Sequence, residues 1–350
     1  MLELSVLEFN NDQRREMVNT SQRFEAWQEA TRRLAGFRGS MVWSTSKGRD
    51  YLLRSSYSAA GKRTQHSLGL RSEMTEVQKQ QFDNGRANAR ERLDTMRAIL
   101  ARQAAVNRAL RLGRVPGISA RILRMLDEAG WLDHGIRVAG THSLYAYEAA
   151  AGIFLDAGIT TTEDIDLLQD ARMSLRFAVS QPAREAGLIG LLKRVDKSFE
   201  RSRQTFRAIN QDGFFVDLIR PVPNPPWKAE SPVLREDDLQ AVGIDGLEWL
   251  ENAPSFNAVT VDDQGIPCRM AVVDPRVFAA HKLWVSQQPG RDPAKRKRDL
   301  AQAQAVAALC VRYFAHLPYE SSQLRMLPKA VFEQALPLFV HSEETRGPGQ

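Results

Sequence analysis

Residues 161–168, TTEDIDLL, set Asp164 and Asp166 two apart within an apolar run. On a strand such residues share a face, so both carboxylates project together while Ile165 and Leu167 enter the core. Adjacent carboxylates repel unless a cation lies between them, and Mg²⁺ accepts carboxylates together with phosphate oxygens. The plain alternative is a solvated sheet edge, because an isolated Asp-x-Asp is expected roughly once by chance in a chain of this length. Context bears on the choice. Upstream, RVAGTHSLYAY reads as strand, glycine and helix, with Gly140, Thr141 and Ser143 at the junction. The glycine lets backbone approach a ligand, the helix N-terminus behind it favours phosphate, and Thr141 reads as the N-cap. Downstream, FFVDLIRP puts Asp217 on a strand that could lie beside the first. A phosphate cradle, paired aspartates and a third aspartate form the layout expected for two-metal phosphoryl or nucleotidyl transfer.

The elements that must position these residues follow from periodicity and breakers. Residues 11–36 predict an amphipathic helix, 41–70 a three-stranded meander with turns at KGRD and AAGK, and 73–112 one long helix or two, ended by VPG at 115–117. The pattern then becomes mixed. Helices are expected at 118–130, 141–152, 187–199 and 274–288, with a further long one after RDPAKRKRDL. Strands are expected at 136–140, 162–168, 174–180, 205–210 and 213–221, and a hairpin around DDQGIP. The expected class is α+β, a mixed sheet flanked by helices. The expected domains are a basic helix-and-meander region (1–115), a catalytic core (116–230), a hairpin and helical region completing the nucleotide site (231–342), and a disordered tail (343–350).

Composition bounds the function classes. The 350 residues are 43% apolar and 26% charged, as in globular proteins. Cys268 and Cys310 are the two cysteines, which excludes a disulfide framework and a local metal knuckle. No apolar run approaches the roughly 18 residues of a membrane helix, and MLELSVLEFNND lacks a signal peptide's basic and apolar regions. A cytoplasmic protein without membrane contact is expected. The net charge of +6 is uneven: residues 1–120 carry 21 Lys+Arg against 12 Asp+Glu, and the remainder 27 against 30. The basic front suits nucleic acid, or equally a set of solvated helix faces.

GTHSLYAYEAAAG, TEDIDLL, FFVDLIRP, HKLW and KRKRD, in that order over about residues 118–310, resemble the nucleotidyltransferase superfamily of the DNA polymerase β type. More narrowly they resemble a bacterial group of nucleotidyltransferase-like proteins, distantly similar to the nucleotidyltransferases of abortive-infection and toxin–antitoxin systems. The resemblance implies that Gly140, Thr141 and Ser143 hold the triphosphate of an NTP. It implies that Asp164, Asp166 and Asp217 are the catalytic, metal-binding carboxylates for Mg²⁺ or Mn²⁺, and that Lys282 steadies the phosphates. It also implies an RNA or protein acceptor and a partner antitoxin. The gap from Gly140 to Asp164 is longer than is usual in that superfamily, and Gly140-Thr141 stands where Gly-Ser is expected.

Other residues carry two readings each. Lys282 is a phosphate ligand or a solvated lysine on the polar side of a helix whose buried stripe is Phe278, Leu283 and Trp284. The basic run 291–298 is a solvated surface or a steering patch for nucleotide or RNA. His142 donates to a phosphate or is structural. In the meander at 41–70, Trp43, Tyr51 and Tyr57 alternate with bases, as in nucleic-acid contacts or in a hairpin packed on helices. The rival to an enzyme is a non-catalytic nucleic-acid-binding or regulatory protein retaining the fold. Convergence of Asp217 with the other two aspartates would favour catalysis over it.

Overall fold

The computed structural model describes residues 6–57, 63–132, 135–170, 181–223 and 237–340. The chain partitions into two compact units, one of Arg15–Gly113 with Gln264–Pro267 and the other of Met1–Arg14, Arg114–Asp263 and Cys268–Gln350. After β1 (Leu7–Glu8), the helix α1 (Asn11–Ala35) leads to an antiparallel meander of β2 (Ser40–Ser46), β3 (Arg49–Tyr57) and β4 (Arg63–Leu70). Lys47 and Gly48, both with positive φ, close its first hairpin. The proline-free stretch after it forms one unbroken helix, α2 (Glu73–Ala109), started by a Ser72–Thr75 capping box. Ala30, Leu93 and Met96 form one apolar core cluster of this unit, and Phe24, Leu52, Phe82 and Ala89 are buried in it too. Towards the end of α2, Asn107 accepts hydrogen bonds from Thr20 and Gln103, both at 2.9 Å, and donates to the Gly265 carbonyl at 2.9 Å.

The other unit holds the mixed sheet. Its elements are α3 (Gly117–Glu128), β5 (Ile136–Ala139), α4 (Ser143–Ala151), β6 (Ile153–Phe154), α5 (Ala157–Thr160) and β7 (Asp164–Gln169). They continue with α6 (Gln181–Val195), β8 (Glu200–Arg201), β9 (Arg207–Ile209), β10 (Phe215–Pro221), β11 (Val242–Ile244) and α7 (Leu247–Asn252). Last come β12 (Ser255–Val261), β13 (Pro267–Val273), α8 (Pro275–Ser286), α9 (Pro293–Tyr313) and α10 (Lys329–Ala335). The strand order is β12-β13-β5-β7-β10-β9-β8, with β11 also on β10. The pairs β13–β5, β7–β10 and β10–β11 are parallel, and β5–β7, β10–β9 and β9–β8 antiparallel. This is the mixed, helix-flanked α+β sheet expected from the sequence.

The alternation of each strand sorts its residues to two faces. Val138, Ile165, Leu167, Val216 and Leu218 enter the larger core, with Ile122, Leu123 and Leu126 of α3. Ala139, Leu168, Ile219 and Val273 enter a second core, with Leu250 of α7 and Val277, Ala280 and Leu283 of α8. The long gap after Gly140 is filled by α4, β6 and α5. The strand expected at 174–180 and the tail expected at 343–350 lie outside the described residues.

Candidate active site

The site forms where β5 ends and β7 and β10 begin. Ala139 pairs with Asp166 on one side of β7, and Asp217 pairs with Asp166 on the other. The parallel register therefore puts Asp166 and Asp217 side by side on one face, with Asp164 two residues earlier on the same face. Each of the three aspartates offers a carboxylate oxygen within 4.8 Å of the others. Thr162 donates a hydrogen bond to Asp164. Desolvation and the Asp164 charge push the Asp166 carboxyl up to about 6. The Lys282 charge pulls against this, and Asp217 adds to it. An all-oxygen donor set that strains its own ionisation in this way suits a hard divalent cation.

Gly140 follows β5 directly. Its φ is +63°, and a Cβ there would stand 2.0 Å from Asp166 Oδ2. Both facts require glycine, because backbone and carboxylate touch at this point. Thr141 is not the N-cap expected of it. Gly140–His142 form a 3₁₀ turn and α4 starts at Ser143, without a side-chain cap. The Thr141 hydroxyl accepts from Gln302 at 3.2 Å, and the Ser143 hydroxyl donates to the Val138 carbonyl at 3.3 Å. Both side chains are buried, so of the three expected cradle residues Gly140 alone lines the adjoining pocket. His142 is buried too, with Nε2 at 2.8 Å from the Ser119 hydroxyl, and burial lowers its pKa to about 4.

The pocket has a volume of about 570 Å³. Gly140 and Asp166 line it, Ile219, Leu247, Leu250 and Trp284 give apolar wall, and Lys282 and Arg291 add cations. Lys282 is not the solvated lysine of the alternative reading. It is 8% exposed, and its Nζ donates to Asp299 Oδ1 at 2.8 Å. Burial pulls the ammonium down, and the Asp299 carboxylate holds it up. Arg291 donates to the other oxygen of the fully buried Asp299 at 2.7 Å. Thus one buried anion anchors two cations from α8 and from the loop before α9. Phe278 and Leu283 are buried as expected, whereas Trp284 is half-buried against the pocket.

Arg207 was not singled out by sequence. Its Nε and Nη2 donate to the two oxygens of Asp217 at 2.7 and 2.6 Å. The signal for it exists: a β9–β10 hairpin folded about QDG pairs Asp217 with Arg207. The apolar wall at Leu247 and Leu250 was also missed, since nothing in WLEN-type helix sequence ties it to a remote strand end.

A family model described as Nucleotidyltransferase matches residues 118–328. The chain belongs to that nucleotidyltransferase family. No curated protein and no solved structure matches. The matched stretch of this nucleotidyltransferase contains all three aspartates, Gly140, Arg207, Lys282 and Asp299, so the pocket and the acidic cluster fall within the family's span.

Proposed function

We propose that the chain transfers a nucleoside monophosphate from an NTP to a hydroxyl of RNA or protein, releasing pyrophosphate. The observation that carries this reading is the convergence of Asp164, Asp166 and Asp217 on one strand-end site. That convergence favours catalysis over a regulator that merely keeps the fold. The three carboxylates would hold Mg²⁺, or Mn²⁺ in its place. When bound, such cations supply Lewis-acid stabilisation of the triphosphate and ease ionisation of the acceptor hydroxyl. The chain's own groups do the rest. Gly140 presents bare backbone to phosphate in the pocket that Asp166 also lines. Thr141 and Ser143 hold the turn that carries Gly140, and Lys282 and Arg291 meet phosphate charge. The apolar wall takes the nucleoside and keeps water from it. The basic run 291–298 and the meander at 41–70 are proposed contacts for an RNA acceptor. A toxin-like role with a partner antitoxin rests on the resemblance in the sequence.

The test is incubation with Mg²⁺, each α-labelled NTP in turn and total cellular RNA, with Asp164→Ala as control. The expected result is label moving into RNA or into protein in the wild type and not in the variant. No transfer with any NTP, alongside intact RNA binding, would move the assignment to the regulatory reading.

A further inference from the structure

The bidentate partner of Asp217 bears on how a cation could enter the site. Arg207 lies opposite Asp217 on β9, and its guanidinium packs 4.6 Å from the Phe215 ring centre and 5.6 Å from that of Phe206. The fork engages both carboxylate oxygens at once. An ionised carboxylate has about four lone-pair sites, so the fork occupies half of them. Asp217 is 9% exposed at its side chain, but Arg207 is 27% exposed, which leaves the guanidinium a way outward. Arginine keeps its proton, so it can leave the carboxylate only by moving.

The charge count gives this pair a purpose. Three ionised aspartates within 4.8 Å of one another repel, and Arg207 offsets one of the three charges. A divalent cation entering the cluster would make that offset redundant, and would then be repelled by a guanidinium a few ångströms away. We propose that Arg207 is a counterion latch. It neutralises Asp217 while the cluster holds no cation, and it swings off as a cation arrives. The same residue thereby lowers affinity for the free cation and favours entry together with nucleotide, whose phosphates offer the guanidinium another partner. This rests on the cation reading of the aspartates given above. Arg207 is a positioning residue in this scheme, acting through Asp217.

The test is Mn²⁺ binding without nucleotide, measured by electron paramagnetic resonance of the free ion, in the wild type, Arg207→Gln and Arg207→Lys, with folding checked by circular dichroism. Arg207→Gln is expected to bind Mn²⁺ about tenfold more tightly than the wild type, the effect of removing one nearby positive charge. Arg207→Lys, which keeps charge but not the fork, is expected to lie between them. A non-hydrolysable NTP is expected to raise Mn²⁺ affinity more in the wild type than in Arg207→Gln. Equal or weaker Mn²⁺ binding by Arg207→Gln would overturn the latch and leave the cation reading standing. If Arg207→Gln does not fold, Arg207→Lys decides, and affinity equal to or below the wild type's would overturn the latch. Absence of binding in all three would overturn the cation reading and the latch with it.

Discussion

Asp166 carries a perturbed carboxyl, and the perturbation has a readable sign. Its folded pKa stands at about 6, above the usual carboxylate value, chiefly through burial and the Asp164 charge. The folded state therefore binds that proton more tightly than the unfolded chain does. Its contribution to stability is present at low pH and is lost as pH rises towards and through about 6. Without divalent cations, Asp166→Asn should then melt above the wild type at pH 7.5, with the gap closing as pH falls below 6. Thermal melts of both proteins across that range check this. A gap independent of pH would show that Asp166 ionises normally. The neutral, buried His142 and His281, with pKa values lowered to about 4 and about 3, act in the opposite sense, since acid must charge them at a cost. Gly140 offers a second residue-level prediction. Ala there meets both a left-handed φ and the Asp166 carboxylate. The left-handed conformation costs about 1–2 kcal/mol, and displacing Asp166 should cut transfer activity about 100-fold. Activity assays and melts on Gly140→Ala measure the two effects separately.

At the scale of elements, the site depends on how α8 and α9 are tied together. Asp299, near the start of α9, binds Lys282 of α8 and Arg291 of the connecting loop. Pro293 and the N-cap Asp292, which accepts from the amides of Ala294 and Lys295, fix where α9 begins. Asp299→Ala would leave Lys282 buried without its carboxylate. Breaking such a pair costs on the order of 3 kcal/mol. Urea denaturation should show a lower midpoint at unchanged slope, together with a raised KM for NTP. The elements themselves were largely legible in the sequence. Alternation exposed β7 and β10, and DDQGIP marked a hairpin. Less legible were the helix start at Ser143 and the burial of Lys282. A 3₁₀ turn leaves no periodic trace, and a lysine's burial depends on a carboxylate 17 residues away on another helix.

At the scale of the molecule, the family match lies almost wholly within the unit that carries the sheet, whereas Arg15–Gly113 lies outside it. The pair Asp164 and Asp166 was legible because residues two apart on one strand share a face. Its completion by Asp217 was not certain until the register of two strands 51 residues apart was known. Asp299 shows the same limit from the other side: it acts through Lys282, which only folding brings near. No helix among the described residues is long and apolar enough to cross a membrane. In the proposed reaction Asp164, Asp166 and Asp217 together hold the divalent cations of the nucleotidyl-transfer site. Anomalous diffraction at the manganese edge, from crystals grown with Mn²⁺ and a non-hydrolysable NTP, tests it most directly. Two peaks among these carboxylates, roughly 3.5–4 Å apart, are expected. A nucleotide bound in the pocket with no anomalous peak at the aspartates would contradict it.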